Sequence, residues 1–338
     1  MIRLRTLGLA GAALTLAGLR ARSRGRDDRH LAQVRELDPD REYAAITRIG
    51  SAYEFPWDTE TALSLALFRT FAVPTISRIL LDSGAFTEDT RKRYDDTELL
   101  LAEVEEHGLD APRGRAAIRR INRMHAAFPI RPVDMTYVLS TFVVEPRRFV
   151  ERYGWRDMHP HEIAAGWRYW RELGARMGVT GLPDTVEEFT AWNEAFERAE
   201  FRYDPANHAV ADATMTMYLT EVYGVPEPLL PAARQAALAL LEPELIDALG
   251  YDRPPAWVRT AVTGALQVRA RALRWFAPPR RRPYRITEVS RPLYPLGYRI
   301  EQLGTFPEPA VAAGAGTRDG VLPRDVPAVV GQPSAGTR

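Results

Sequence analysis

From about Leu37 onward, apolar residues recur at three- and four-residue intervals with few alternating β-branched runs. This spacing predicts a succession of amphipathic helices and an all-α fold. Polar clusters interrupt the pattern at Asp82–Gly84, His107–Gly114, Tyr153–Pro160, Met177–Thr185 and Tyr223–Pro228, each carrying Gly, Pro or a capping residue. The helices between them are expected to run about 15 to 20 residues. Thr87, followed by Glu88 and Asp89, reads as an N-cap with acids in the first turn, and Asp184 or Thr185 before Val186 makes a similar start. The most apolar segment is Asp134–Pro146. It follows the helical stretch Arg119–Phe128 after a short turn, so the two are expected to pack as an antiparallel or steeply crossed pair with their apolar stripes facing.

Both ends depart from this pattern. Leu7–Leu19 is an apolar run with arginines on both sides. It is short for a span, which takes about 20 residues, and no small-residue cleavage site separates it from the arginines that follow. A helix lying on a membrane surface, an uncleaved anchor and an ordinary N-terminal helix all fit. The arginine excess after the run would keep that side cytoplasmic, so the expected location is the cytoplasm or the cytoplasmic face of a membrane, with membrane contact through residues 7–19. Ala277–Tyr284 is a basic, proline-rich connector, and residues 306–338 are rich in Gly, Ala, Pro and Val without periodicity, which predicts disorder. The expected organisation is an N-terminal apolar and basic segment (1–34), one helical domain of mostly antiparallel and crossed helices (35–305), and a tail (306–338).

Composition removes several chemistries. The 338 residues are 46% hydrophobic with a net charge of +1, which gives no case for a nucleic-acid partner. Lys92 is the sole lysine, so a Gly-Lys phosphate loop and Schiff-base chemistry elsewhere are excluded. Cysteine is absent, which excludes disulfides, thiolate nucleophiles, iron–sulfur clusters and covalently attached haem. No G-x-S-x-G, H-E-x-x-H or dinucleotide fingerprint is present.

Two stretches carry candidate chemistry. In Arg119–Phe128, His125 shares the apolar stripe of Ile118, Ile121 and Phe128, opposite Arg115, Arg119 and Arg123. A histidine so placed is either a core residue satisfied by a carbonyl and a water or a ligand aimed into the middle of the bundle. In Thr90–Val104, the buried stripe of Leu100, Leu101 and Val104 extends back to Thr97 and Arg93. A guanidinium on an apolar face needs a partner: an ion pair with Asp95, Asp96 or Glu145, or an anionic ligand. "MHPHE" at Met158–Glu162 offers metal-ligating residue types, but Pro160 suits a first helical position and the histidines an exposed cap. His30, His107 and His208 lie in polar or loop contexts without evident partners. Trp155, Trp167, Trp170 and Trp192 are spaced as packing anchors.

Arg93-x-x-x-Thr97, then "NRMHAAF" with His125, resembles the catalytic domain shared by the MpaB-type membrane-bound oxygenases and the rubber oxygenases. "DMTYVLSTFVVEPRRFVERYGWR", "WRELGARMGVTGLPDTVEEFTAWNEAFERAEFRYDPAN" and "YPLGYRIEQLG" are more similar to the MpaB branch, and the likeness covers roughly residues 40–305. The resemblance implies an all-α fold around a buried, noncovalent haem b. It further implies dioxygen as co-substrate and oxidation or cleavage of a carbon–carbon double bond in a small lipophilic, isoprenoid or prenylated substrate. His125 then corresponds to the iron ligand, with Arg93 and Thr97 on the opposite side as catalytic residues and Arg93 also against the cofactor. Rubber oxygenases carry a lysine where this chain has Asp96, and Asp96 is a candidate to stand in for the distal catalytic glutamate of those enzymes, or else a helix-surface carboxylate paired with Lys92 four residues away. A non-catalytic haem- or lipophile-binding protein and a peroxidase-like side activity are the alternatives.

Overall fold

A computed structural model of the chain describes residues 29–84 and 86–304. The apolar run at 7–19 and the segment 306–338 lie outside the described residues. Within them the expected all-α architecture is found, with no strand. The elements are α1 (residues 29–36), α2 (Tyr43–Ile49), α3 (Pro56–Phe71), α4 (Pro74–Asp82), α5 (Thr90–His107), α6 (Pro112–His125), α7 (Pro132–Tyr153), α8 (Pro160–Arg176), α9 (Val186–Glu200), α10 (Pro205–Met217), α11 (Leu230–Leu238), α12 (Pro243–Ala248) and α13 (Ala256–Phe276). Val34 in α1 is fully buried with Ile46, Ile49 and Ala165, so the packed body begins before residue 35.

Proline at the first turn opens many of these helices, where its missing N–H costs nothing. Thr185 caps α9 in a reciprocal box with Glu188, as its sequence predicts. Thr87 does not cap α5: that helix starts at Thr90, and the Thr87 hydroxyl donates instead to the Gly84 carbonyl at 3.2 Å. α7 runs unbroken to Tyr153 with Pro146 inside it. Proline there withholds a hydrogen bond from the carbonyl of Phe142 one turn earlier.

The principal helix pairs are α3 with α7, α2 with α8, α5 with α6, and α4 with α10. The expected close pairing of α6 with α7 is not among the main contacts. The reason is a cavity that both helices line, Ile121, Met124 and His125 from α6 and Val138, Leu139 and Phe142 from α7. Their apolar stripes face open space that a second helix would otherwise fill.

Buried charge ties the framework together. Arg69 of α3 bonds Glu197 through both Nε (2.9 Å) and Nη2 (2.7 Å) and Glu242 at 2.6 Å, with Glu145 at 3.3 Å; the Tyr137 hydroxyl donates to Glu197 at 3.1 Å. Arg156 likewise joins Glu162 (2.7 Å) and Glu54 (3.0 Å). Among the described residues no single helix is long and apolar enough to cross a membrane. α3 and α4 would qualify together but meet at 95°.

Candidate functional site

The cavity has a volume of about 480 Å³, within the roughly 300–1,000 Å³ typical of ligand pockets. Its walls are mainly apolar, with Leu100, Ile121, Phe128 and Leu139 and with Trp170, which stacks on Phe142 at 4.7 Å between ring centres. Two short π-helical turns, Gly50–Glu54 after α2 and Tyr218–Val222 after α10, put Ser51, Ala52, Tyr53 and Tyr218 on the lining. An inserted residue of this kind re-aims a helix face and is common beside functional sites.

His125 is the last residue of α6 and lines the cavity. Its Nδ1 is buried and has no hydrogen-bond partner. That is unusual, because a buried polar atom without a partner costs about 1–3 kcal/mol. Burial, and secondarily the positive charge of Arg93, push the His125 pKa down to about 4, so near neutral pH the ring is neutral, with one N–H and one in-plane lone pair.

Arg93 and Thr97 lie one turn apart on α5, on the cavity side, as the stripe predicts. The guanidinium donates from Nη1 to the Thr97 hydroxyl, which itself donates to the Arg93 carbonyl at 2.8 Å. The guanidinium also sits over the Phe86 ring, 5.1 Å from its centre. None of the carboxylates suggested by the sequence pairs with it. Asp95 binds Arg91 and Arg291, Asp96 binds Lys92, and Glu145 binds Arg69 and Arg148. Burial holds the Arg93 pKa below the usual guanidinium value, with partial relief from the charge of Asp96.

Asp96 is not a cavity residue. It is fully buried on another side of α5, where it accepts from Lys92 Nζ, the Tyr294 hydroxyl and, at 2.7 Å, the Gly304 N–H. The structure therefore brings together three of the four residues singled out by sequence, His125, Arg93 and Thr97, and sets Asp96 to work as an anchor. Lys92 is spent in the same anchor.

Sequence reasoning missed a second polar group on the cavity wall. The Tyr94 hydroxyl donates to Glu98 at 3.0 Å, and the Tyr284 hydroxyl approaches Glu60 at 3.5 Å. Burial, with added repulsion from Glu98, raises the Glu60 pKa. Glu105, held by the Ser51 hydroxyl, is raised by burial too. The one available signal was the i, i+4 spacing of Tyr94 and Glu98, beside Thr97 on α5. It is outweighed in sequence by the ordinary reading of such a pair as a solvated face.

The other histidines have structural partners that sequence did not reveal. His30 contacts the Arg280 carbonyl at 3.1 Å, His208 the Leu249 carbonyl at 3.0 Å, and His107 the Glu103 carboxylate at 3.2 Å. His159 caps α8, accepting from the His161 N–H at 3.2 Å. Among the described residues no group of three or more His, Asp or Glu side chains is arranged to hold a metal ion. A planar cofactor that brings its own equatorial ligands needs only one protein donor, and the unpartnered His125 ring in an apolar slot fits that requirement.

Residues 58–277 match the family model described as "ER-bound oxygenase mpaB/B'/Rubber oxygenase, catalytic domain". The chain is 30% identical over 271 residues to the ER-bound oxygenase mpaB' of Penicillium brevicompactum, covering 75% of this chain and 63% of that protein. It is 31% identical over 246 residues to the ER-bound oxygenase mpaB of the same organism, covering 68% and 62%. To the ER-bound oxygenase mpaB of Penicillium roqueforti (strain FM164) it is 29% identical over 230 residues, covering 63% and 76%. The match thus spans somewhat under two thirds of the length of the first two.

Proposed function

The chain belongs to the MpaB and rubber oxygenase catalytic-domain family, and from that premise we propose that it is an oxygenase whose cavity holds a noncovalent haem b through His125 and admits a small lipophilic, isoprenoid-like substrate. One observation carries the reading: a buried imidazole nitrogen without a protein partner at the wall of a largely apolar cavity. The haem, when bound, supplies the redox chemistry that activates dioxygen.

The protein's own share follows from its side chains. His125, neutral because its pKa is held down to about 4, offers a lone pair rather than a second N–H. Arg93 carries a positive charge on the cavity wall with none of Asp95, Asp96 or Glu145 paired to it, and Thr97 fixes the guanidinium from one turn away. Such a pre-set donor stabilises negative charge developing on a reacting oxygen, typically by about 2.7–4 kcal/mol per well-placed donor. The apolar walls, Leu100, Leu139, Phe142 and Trp170, favour a hydrocarbon chain and exclude water.

The test is spectroscopic first. Purified protein should show a Soret band, and His125→Ala should lose it or release the haem on gel filtration. Dioxygen should be consumed when prenylated substrates are added. A His125→Ala protein with an unchanged spectrum and full haem content would defeat the assignment of the ligand. A haem-loaded protein that consumes no dioxygen with any prenyl substrate would reduce the function to haem or lipophile binding.

A further inference from the structure

α13 is an unusual helix for a packed body. Of its 21 residues only Val258 is buried. Trp257, Ala261, Ala265, Val268, Ala272 and Phe276 follow each other at four- and three-residue steps and are all exposed, Trp257 by 73% and Val268 by 62%. They form one apolar stripe about five turns long that no other described residue covers. A surface of that kind on a globular protein marks a contact site.

The charge around the stripe says what it contacts. From Arg253 to Thr287 the chain contains nine arginines and no aspartate or glutamate. The arginines on the body side are used internally: Arg259 donates to the Leu241 carbonyl at 2.9 Å, and Arg269 bonds Asp58 at 2.8 Å while covering the Trp57 ring. Arg271 and Arg274 at the edge of the stripe are exposed, as are Arg280, Arg281 and Arg282 just beyond the helix. An apolar stripe with an aromatic residue at each end, bordered by arginines and free of acids, has the composition of a helix lying in a lipid headgroup layer. A protein partner or a second copy would have to supply the balancing acids itself, whereas this face has none to offer in return.

We propose that the exposed face of α13, with the Arg280–Arg282 connector, docks on an anionic lipid bilayer surface. The apolar stripe enters the acyl boundary while Arg271, Arg274 and the connector meet lipid phosphates. The connector leads directly into Pro283, Tyr284, Arg285 and Ile286, which line the cavity. Docking therefore places one cavity wall next to the bilayer, a short route for a lipophilic ligand. Docking through α13 does not require a haem in the cavity.

The absence of cysteine gives a direct assay. Full-length V268C can be labelled with a single environment-sensitive fluorophore on the stripe, and E187C, exposed at the start of α9, serves as the control position. With vesicles of phosphatidylcholine containing about one third phosphatidylglycerol, the label at 268 should shift to the blue and be quenched by acyl-chain quenchers, while the label at 187 does not change. Pure phosphatidylcholine vesicles or about 0.5 M salt should abolish the effect. Adding R271A/R274A to V268C should weaken the apparent affinity about twenty-five-fold, at about fivefold per arginine. Three results would overturn the proposal: no response at 268 on anionic vesicles, an equal response on neutral ones, or a response that appears without vesicles as protein concentration rises, which would assign the stripe to a second copy.

Discussion

The unpartnered nitrogen of His125 makes a quantitative claim about acid stability that needs no cofactor. In the unfolded chain this imidazole titrates near its ordinary value of about 6.5, whereas in the folded protein burial and Arg93 hold it down to about 4. A depressed histidine pKa means that the unfolded state binds more protons between those two values, so stability falls as pH drops through that window and is unaffected above it. At about pH 4.5 the full linkage amounts to about 2.5 kcal/mol, and because the ring is partly open to the cavity we expect about 1.5–2. The assay is urea denaturation of haem-free wild type and His125→Leu at about pH 7 and pH 4.5. Other titrating groups cancel in the comparison. Wild type should lose about 1.5–2 kcal/mol more than the variant between the two conditions. If the difference between the proteins is the same at both pH values, His125 protonates freely in the native state, and the isolated neutral imidazole on which the ligand assignment rests does not exist.

Replacing Arg93 with Ala should lower dioxygen-dependent turnover by on the order of a hundredfold while sparing most of the Soret absorbance, and normal turnover would remove Arg93 from the mechanism. Arg69→Met should cost about 3–5 kcal/mol in denaturant unfolding, because it takes the arginine from the buried Glu197 and one of two arginine partners each from Glu145 and Glu242; a loss under about 1 kcal/mol would mean that Glu197 is solvated. Gly304→Ala meets two obstacles at once, a backbone φ of +99° and a methyl carbon that would sit 1.9 Å from Met124 Sδ. Since Met124 precedes His125, the variant should loosen haem as well as lower the melting temperature, and full haem retention with an unchanged melting temperature would show that the Met124 side chain moves aside freely.

The helical periodicity made the fold class, the stripe of Arg93 and Thr97, and the inward aim of His125 legible, because each depends on spacing within one helix. What spacing cannot supply is the register between elements distant in sequence. Nothing near α6 or α7 indicates that they border a cavity rather than each other, since both helices would be apolar on that side in either case. The partners of His30 and His208 are backbone carbonyls at 280 and 249, which carry no residue-type signal. The ion pair expected for Arg93 failed for a similar reason: each nearby acid is claimed by another cation, Arg91, Lys92 and Arg148 from its own helix, Arg69 from α3 and Arg291 from the chain after α13.

Asp96 shows what one position on a helix decides. It precedes Thr97 by one residue, which rotates its side chain about 100° away from the cavity face. On its own side of α5 the chain after α13 returns as a strap, residues 283–304, held by ionic and phenolic contacts along the helix. Arg291 binds Asp95 and Glu98, Tyr294 binds Asp96, Tyr298 binds Glu103 at 2.7 Å, and Thr287 donates to Glu106 from its N–H at 3.2 Å. Asp95, Asp96 and Glu103 are fully buried, so without the strap each would lose a partner in the interior, at about 3–5 kcal/mol for the Arg291 ion pair of Asp95 and about 1–3 kcal/mol for each hydrogen bond to Asp96 and Glu103. The strap is therefore integral to the body. It lies beyond residue 277, where the family match ends, yet its first residues, Pro283 to Ile286, line the cavity, and its last, Gly304, packs against the methionine that precedes His125. The carboxylate at 96 thus acts on the site at one remove: by fixing the strap, it fixes two borders of the space into which His125 and Arg93 point.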